Sequence, residues 1–276
     1  MTITPTDTAG LRFVGPPLEV DVDVVVPVYN EQAEIGSSIL LLLSYLQQLN
    51  ADEHAFSWQI VIADNASTDS TWALASTLAG EHPQAVRAVR IPRKGRGFAL
   101  KQVWSHSRAR VLSYMDVDLS TDLSSFSELV SPILEGSCDV AFGSRLLPAS
   151  RVTRCAKREF ISRTYNLLLQ RYLGVRFHDA QCGFKAISAE ASATLLPLIE
   201  DDEWFFDTEL LVKAERLNVA MNEVAVTWRE DPGSTVRIVD TVRKDLQGMR
   251  RLKQEERPGG GLKGQGGFDR TVIHGD

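Results

Sequence analysis

Five short apolar runs alternate with helix-length segments through the first half of the chain, and this alternation constrains the fold more than any other feature. Val22, Val24, Val25 and Val26 form a β-branched run closed by Pro27, the pattern of a buried strand. Helical periodicity follows over 31–49. Further strands are expected at 59–63, 88–91, 111–115 and 139–142, with helices at 70–78, 97–107 and 123–134. Strands that alternate with helices build an α/β fold around a mostly parallel sheet covered on both faces.

The second half is less regular. Helices are expected at 160–173, 189–196 and 206–217, short strands at 183–187 and 222–228, and a long amphipathic helix rich in basic residues at 237–256. Residues 1–21, with Pro5, Pro16 and Pro17, read as a flexible lead-in. Residues 258–276 hold seven glycines and few apolar residues, and read as a disordered tail. Between them, 22–257 reads as a single domain.

Composition excludes several classes. Of 276 residues, 30 are basic and 36 acidic, a net charge of −6, which argues against a nucleic-acid partner. Cys138, Cys155 and Cys182 are too few and too irregularly spaced for a disulfide framework or a zinc knuckle, and fit a reducing cytoplasm. No apolar run approaches the roughly 18 residues that would mark a membrane-spanning helix. The expectation is a soluble cytoplasmic protein, with attachment to the cytoplasmic membrane face left open. The sequence does not give the oligomeric state.

In an open α/β sheet, ligands bind beyond the carboxyl ends of the strands. The polar clusters fall there: 27–31 after the first strand, 64–69 after the second, 93–97 after the third, 116–118 after the fourth and 143–145 after the fifth. Asp116 and Asp118, two carboxylates at i and i+2, can converge on a hard cation such as Mg²⁺ or Mn²⁺ that bridges phosphates; the plainer alternative is a turn or helix cap. The stretch 87–110 carries eight basic residues and no acidic one. Gly95 and Gly97 would let backbone N–H groups approach an anion at a helix start; the alternative is a solvated basic face. The stretch 145–176 carries eight basic residues, with Glu159 as its sole acid and apolar residues between. It fits a membrane surface or, equally, a helix with its apolar stripe in the core. Cys182 lacks a partner base and reads as a small buried residue.

These motifs resemble glycosyltransferase family 2. The resemblance rests on 26–31 (VPVYNE), 64–69 (DNASTD), 94–97 (KGRG), 116–118 (DVD) and 143–145 (GSR). In the second half, 179–185 (DAQCGFK), 205–209 (FFDTE) and 228–234 (WREDPGS) resemble the polyprenyl-phosphate sugar synthases, which include dolichyl-phosphate glucose and mannose synthases. The 205–209 and 228–230 pieces look more like the glucosyl branch. The resemblance implies a GT-A fold, Rossmann-like with a C-terminal acceptor-side extension. Residues 22–145 would form the nucleotide-sugar half and 146–257 the acceptor half.

The implied reaction is metal-dependent, inverting transfer of a hexose from UDP-glucose or GDP-mannose to a polyprenyl phosphate at a membrane surface. A soluble acceptor and a non-catalytic nucleotide-sugar binder are the alternatives. By position, Pro27, Tyr29 and Glu31 would line base and ribose, Asp64 and Asn65 the base, and Lys94 and Gly95 the nucleotide. Asp116, Val117 and Asp118 would hold the diphosphate, the two carboxylates through the cation. Arg145 and Arg158 would bind the acceptor phosphate. Asp179 would lie beside the reacting centre, and Trp228 and Arg229 would form the closing wall. Segments 151–176 and 237–257 would dock the membrane.

Overall fold

The computed structural model describes residues 10–49, 56–230 and 238–255. Four strands form the centre of the sheet: β2 (Val22–Val28), β3 (Trp58–Asn65), β4 (Val86–Ile91) and β5 (Val111–Met115). They run parallel in the order β4-β3-β2-β5. Strand β6 (Val140–Ser144) points the same way but does not touch β5. Between them lies β8 (Phe184–Ser188), antiparallel to both. Strand β9 (Met221–Ala225) then pairs parallel with β6. The parallel strands thus end on one rim, and the reversed β8 begins there. The segment leading into β8 is therefore delivered to the same rim as the polar clusters.

Alternation along the strands builds two cores. Val24, Val26, Ile60 and Ile62 face one side; Val25, Val61 and Ala63 face the other. Helices α1 (Ile35–Leu49), α2 (Thr71–Glu81) and α4 (Phe126–Leu134) cover the first side. Helix α1 does so with Ile35, Ile39, Leu42, Leu43 and Leu46, one stripe at helical spacing. The second side is covered by α3 (Arg96–Ser105), α5 (Ala156–Leu173), α6 (Ala189–Leu195), α7 (Phe206–Arg216) and α8 (Ile238–Glu255).

Several expectations are corrected. The lead-in is not loose throughout: β1 (Arg12–Val14) pairs antiparallel with β4, and Arg87 lies 4.4 Å over the Phe13 ring. Three residues, one of them charged, are too few to carry a periodic signal, so only the neighbouring edge makes them a strand. Helix α1 starts at Ile35 rather than 31, because 30–34 form a turn in which Asn30 adopts φ 57° and the Glu31 carbonyl accepts from the N–H groups of Glu34 and Ile35. The expected strand 222–228 is two strands. β9 belongs to the main sheet, and β10 (Thr227–Arg229) pairs with β7 (Arg151–Thr153). Buried Val226 marks the break. The Gly-rich stretch 258–276 lies outside the described residues.

Phe126 is fully buried between Phe56 and Phe184, at ring-centroid distances of 6.2 and 6.3 Å. Phe126→Ala should therefore cost about 3–5 kcal/mol of stability, the usual range for deleting a buried ring, read from the shift in urea midpoint.

Candidate active site

The site is assembled around a carboxylate that never reaches solvent. Asp207, in the first turn of α7, is buried. It accepts from Arg96 at 2.5 Å, from the Tyr114 hydroxyl, and lies 3.2 Å from the Lys185 ammonium. Burial opposes its charge, but Lys185 and Arg96 outweigh that and hold its carboxyl below the ordinary range. Lys185 is itself buried and also donates to the carbonyls of Ala180 and Cys182 at 3.0 and 2.6 Å. The second guanidinium nitrogen of Arg96 reaches Asp116 at 2.7 Å. Arg96 lies between the rings of Tyr114 and Trp204, 4.9 and 4.8 Å from their centroids. A charge network thus runs from the core to the first residue of the Asp-x-Asp pair.

Asp116 shows 43 % of its side chain to the cleft, and Asp118 is exposed. Packed protein around Asp116 pushes its carboxyl up against the pull of Arg96, and Asp118 and Asp207 add to the rise. Both carboxylates line a small cavity with Ser120, Thr121, Gly183 and Trp228. Val117 between them packs into the core, so its side chain is unavailable to a ligand. Among the described residues, no group of three or more His, Cys, Asp or Glu side chains could hold a metal. Two exposed carboxylates are nevertheless a fitting donor set for Mg²⁺ or Mn²⁺, which take oxygen ligands and complete their shells with phosphate and water. A wider cavity of about 340 Å³ continues past Asp118 toward Ser37, Ser38, Arg229 and Glu230.

The segment entering β8 is fixed residue by residue. Asp179 is buried and accepts from Arg145 three times, from Nε at 2.7 Å, Nη2 at 3.0 Å and the backbone N–H at 3.0 Å. Burial would raise its pKa, but Arg145 outweighs that and holds it at about 2. The Ala180 N–H donates to Asn166 of α5 at 3.0 Å. Gln181 donates to Asp245 of α8 at 3.2 Å. The Gly183 carbonyl accepts from the Asp116 N–H at 3.1 Å. Gly183 has no alternative: a Cβ there would overlap the Asp116 carboxylate. Cys182 is buried, and burial pushes its thiol up to about 11, so it is an inert packing residue.

The other rim residues form a second group. Lys94 lies 3.6 Å over the Tyr29 ring, and Pro27 is half-buried at the end of β2. The N–H of half-buried Glu31 donates to the Thr71 hydroxyl at 2.8 Å. Buried Asp64 accepts from the Ser67 N–H at 3.2 Å with one oxygen; the other lies 3.7 Å from Arg90 and makes no hydrogen bond. Buried Asn65 accepts from the Gly95 N–H at 2.8 Å.

The anion-cradle expectation for 93–97 is therefore corrected. The N–H groups of Gly95, Gly97 and Phe98 are taken by Asn65, Glu203 and Asp202. The glycines serve close packing, since a Cβ on Gly95 would come within 2.6 Å of the Asp202 carbonyl and one on Gly97 within 2.6 Å of Phe206. The basic stretch is largely spent in ion pairs, including Arg93 and Lys101 with Asp202.

Trp228 joins the two sides of the cleft: it lines the cavity with Asp116, and Arg145 lies 5.5 Å over its ring. Arg229 is exposed beside it. Arg158 stands apart from the small cavity, paired with Glu230 at 3.0 Å. Sequence reasoning assigned no role to Arg96, Asp207, Lys185 or Gly183. The 205–209 and 179–185 motifs contain three of them, but their work depends on contacts 20 to 111 positions away in the chain.

The sequence profile of glycosyl transferase family 2 matches residues 23–196. The chain belongs to this family. Glycosyltransferase AglD of Haloferax volcanii is 38 % identical over 231 residues, covering 83 % of this chain and 36 % of that protein. Dolichyl-phosphate beta-glucosyltransferase ALG5C of Trichomonas vaginalis is 31 % identical, covering 85 % of this chain and 72 % of that protein. Glucosyl-3-phosphoglycerate synthase of Mycobacterium tuberculosis, solved with Mn²⁺, UDP-glucose and phosphoglyceric acid, superposes with a TM-score of 0.62 at 20 % identity, over 87 % of this chain and 82 % of that one. This family 2 glycosyltransferase therefore has the GT-A fold, as its motifs implied.

Two outcomes follow for the enzyme. Gly183→Ala should displace Asp116 and lower transfer about 100-fold, the penalty for misplacing a reacting group by about 1 Å, with the fold retained by circular dichroism. Asp179 has a depressed pKa, so its stabilising pair with Arg145 is complete above pH 3.8 and lost as pH falls through about 2. The urea midpoint of the wild type should exceed that of Asp179→Asn at pH 5, and the gap should close toward pH 2.

Proposed function

We propose that the chain transfers glucose from UDP-glucose to a polyprenyl phosphate at a membrane surface, with inversion at the anomeric carbon. One observation carries this reading: Asp116, Asp118 and Trp228 line one cavity, and Arg145, held by Asp179, lies 5.5 Å over the Trp228 ring. The similarity to dolichyl-phosphate beta-glucosyltransferases supports glucose and a polyprenyl phosphate over mannose and a soluble acceptor. In this reading Tyr29, Lys94 and the unbonded oxygen of Asp64 receive the base. Pro27, Glu31, Asn65 and Gly95 shape that half of the site. Asp116 and Asp118 would hold Mg²⁺ or Mn²⁺, and the cation would neutralise the charge that develops on the leaving diphosphate.

Asp179 is a poor general base, since Arg145 keeps it ionised down to about pH 2. A phosphate acceptor is already anionic and needs no strong base. The role of Asp179 is then to hold Arg145, 13 % exposed, at the acceptor phosphate. Arg158 would meet the same lipid farther along α5, and Trp228 and Arg229 would wall the cleft. Residues 22–145 would serve the donor and 146–257 the acceptor, within one domain.

Membrane contact fits the outer face of α5. Ser162, Asn166, Leu169 and Leu173 are buried. The opposite face exposes Phe160 (71 %), Leu167, Leu168 and Tyr172 beside Lys157, Arg163 and Arg171. Apolar residues interleaved with cations suit an anionic lipid surface. No helix among the described residues is long and apolar enough to cross a membrane. The three cysteines are free, which suits a cytoplasmic face.

Purified protein with Mn²⁺ or Mg²⁺ and a short polyprenyl phosphate should move label from UDP-glucose, not GDP-mannose, into the organic phase. Asp116→Asn should lower that transfer at least about 100-fold, as expected for losing electrostatic stabilisation of the leaving group. Bound UDP-glucose without a lipid product would overturn the acceptor assignment in favour of a soluble one. In flotation, the wild type should rise with anionic vesicles, and Phe160→Glu with Leu167→Glu should stay at the bottom.

A further inference from the structure

Beneath the acceptor side of the cleft lies a polar cluster that the proposed chemistry does not use. Asp245 of α8 is buried. It accepts from the Gln181 amide at 3.2 Å and lies near the Tyr165 hydroxyl of α5. The Tyr165 hydroxyl also meets the Thr208 hydroxyl at 2.9 Å, one residue after Asp207. The segment entering β8 is thus tied to α8 at this carboxylate, and α5 and α7 are joined to each other beside it. Gln181 sits two residues from Asp179 and two from Gly183, which abuts Asp116. A buried carboxylate is costly to hold in a helix that packing alone could secure. Helix α8 already has other fastenings to α7, through Arg251 to Glu209 at 2.5 Å and Lys213 to Glu255 at 2.7 Å.

We propose that Asp245 is a positioning residue for the transfer reaction: through Gln181 it fixes the 179–183 segment, and so sets the Arg145–Asp179 pair at the acceptor. This deepens the function proposed above and rests on it for the acceptor's identity, but not for the mechanical tie. Burial, with Asp201 adding to it and the nearby Tyr165 hydroxyl opposing, pushes Asp245 up to about 7. Among the described residues, the ionisable groups facing it are Tyr165 from α5 and Asp201 from the segment before α7; the 179–183 segment offers the neutral Gln181 amide. The charge on Asp245 therefore changes near neutral pH, and the ionised form is the stronger acceptor for Gln181. The cost to stability has the opposite sign: a carboxyl bound more tightly to its proton in the folded state loses stability as pH rises from 3.8 to about 7.

The test uses the full chain carrying Asp245→Leu, Asp245→Asn or, should Asp245→Leu fail to fold, Gln181→Ala on a half-buried side chain. Amide exchange over 179–183, measured without any acceptor, should quicken about tenfold in Asp245→Leu and Gln181→Ala, as for the loss of one hydrogen bond, while β2–β5 stays protected. In the transfer assay the acceptor KM should rise by a similar factor with the KM for UDP-glucose unchanged. Asp245→Asn, which keeps an acceptor oxygen, should restore most of the acceptor KM but abolish the fall in KM expected of the wild type as pH rises through about 7. Unchanged exchange over 179–183 in both Asp245→Leu and Gln181→Ala would overturn the tie. Quickened exchange with a wild-type acceptor KM would overturn the positioning role. Failure of the wild type to transfer to polyprenyl phosphate would defeat the acceptor assignment instead, leaving the exchange result to decide the tie.

Discussion

The architecture of the site depends on neutralising one buried carboxylate. Asp207 sits where water cannot solvate it, and an unpaired charge there would cost several kcal/mol. Its partners come from three places: Arg96 opens α3, Tyr114 lies near the end of β5 and Lys185 lies in β8, while Asp207 itself sits in the first turn of α7. Satisfying that charge forces these elements together at the rim. The donors left over then organise the chemistry. Arg96 has a second nitrogen for Asp116, and Lys185 has further protons for the carbonyls of Ala180 and Cys182. The network is structural at one end and faces the cleft at the other.

The antiparallel insertion of β8 is the second constraint. A further parallel strand would have carried the 179–183 segment to the opposite edge of the sheet. Reversal brings it beside Asp116, where only a glycine fits. From there each residue is held by a different element: Asp179 by the turn after β6, Ala180 by α5, Gln181 by α8, and Gly183 by the turn after β5. A short irregular segment gains the rigidity that a site needs because its polar groups are satisfied from all sides. Two of those partners come from α5 and α8, so these helices are tied by hydrogen bonds to the segment beside Asp116.

Much of this was legible in the sequence, for identifiable reasons. The Val22–Val26 run, its four successors and the intervening helices are local patterns, and the side-chain period of two sorts their residues between the cores without further information. The rim clusters follow from the same pattern, since they are whatever succeeds each strand. The expectations for Asp116, Asp118 and Arg145 arise this way, and that for Asp179 from family resemblance. Gly95 and Gly97 were found but misread. A glycine at a helix start signals close approach of something, and the sequence does not say whether that is a phosphate or the 202–206 segment of the same chain.

The sequence by itself determined the α/β alternation, the stripe that α1 buries, the family and the position of the polar rim, because each is written in residues near one another in the chain. Tertiary structure alone decided the rest. It turned Arg12–Val14 into an edge strand, split 221–229 between two sheets, spent most of the basic stretch 87–110 in ion pairs, and chose Asp207 as the charge around which Arg96, Tyr114 and Lys185 gather. Those outcomes depend on which side chains lie across a cleft or a core from each other. A buried charge takes the partners that the fold brings within about 3 Å, and that distance has no counterpart in sequence spacing.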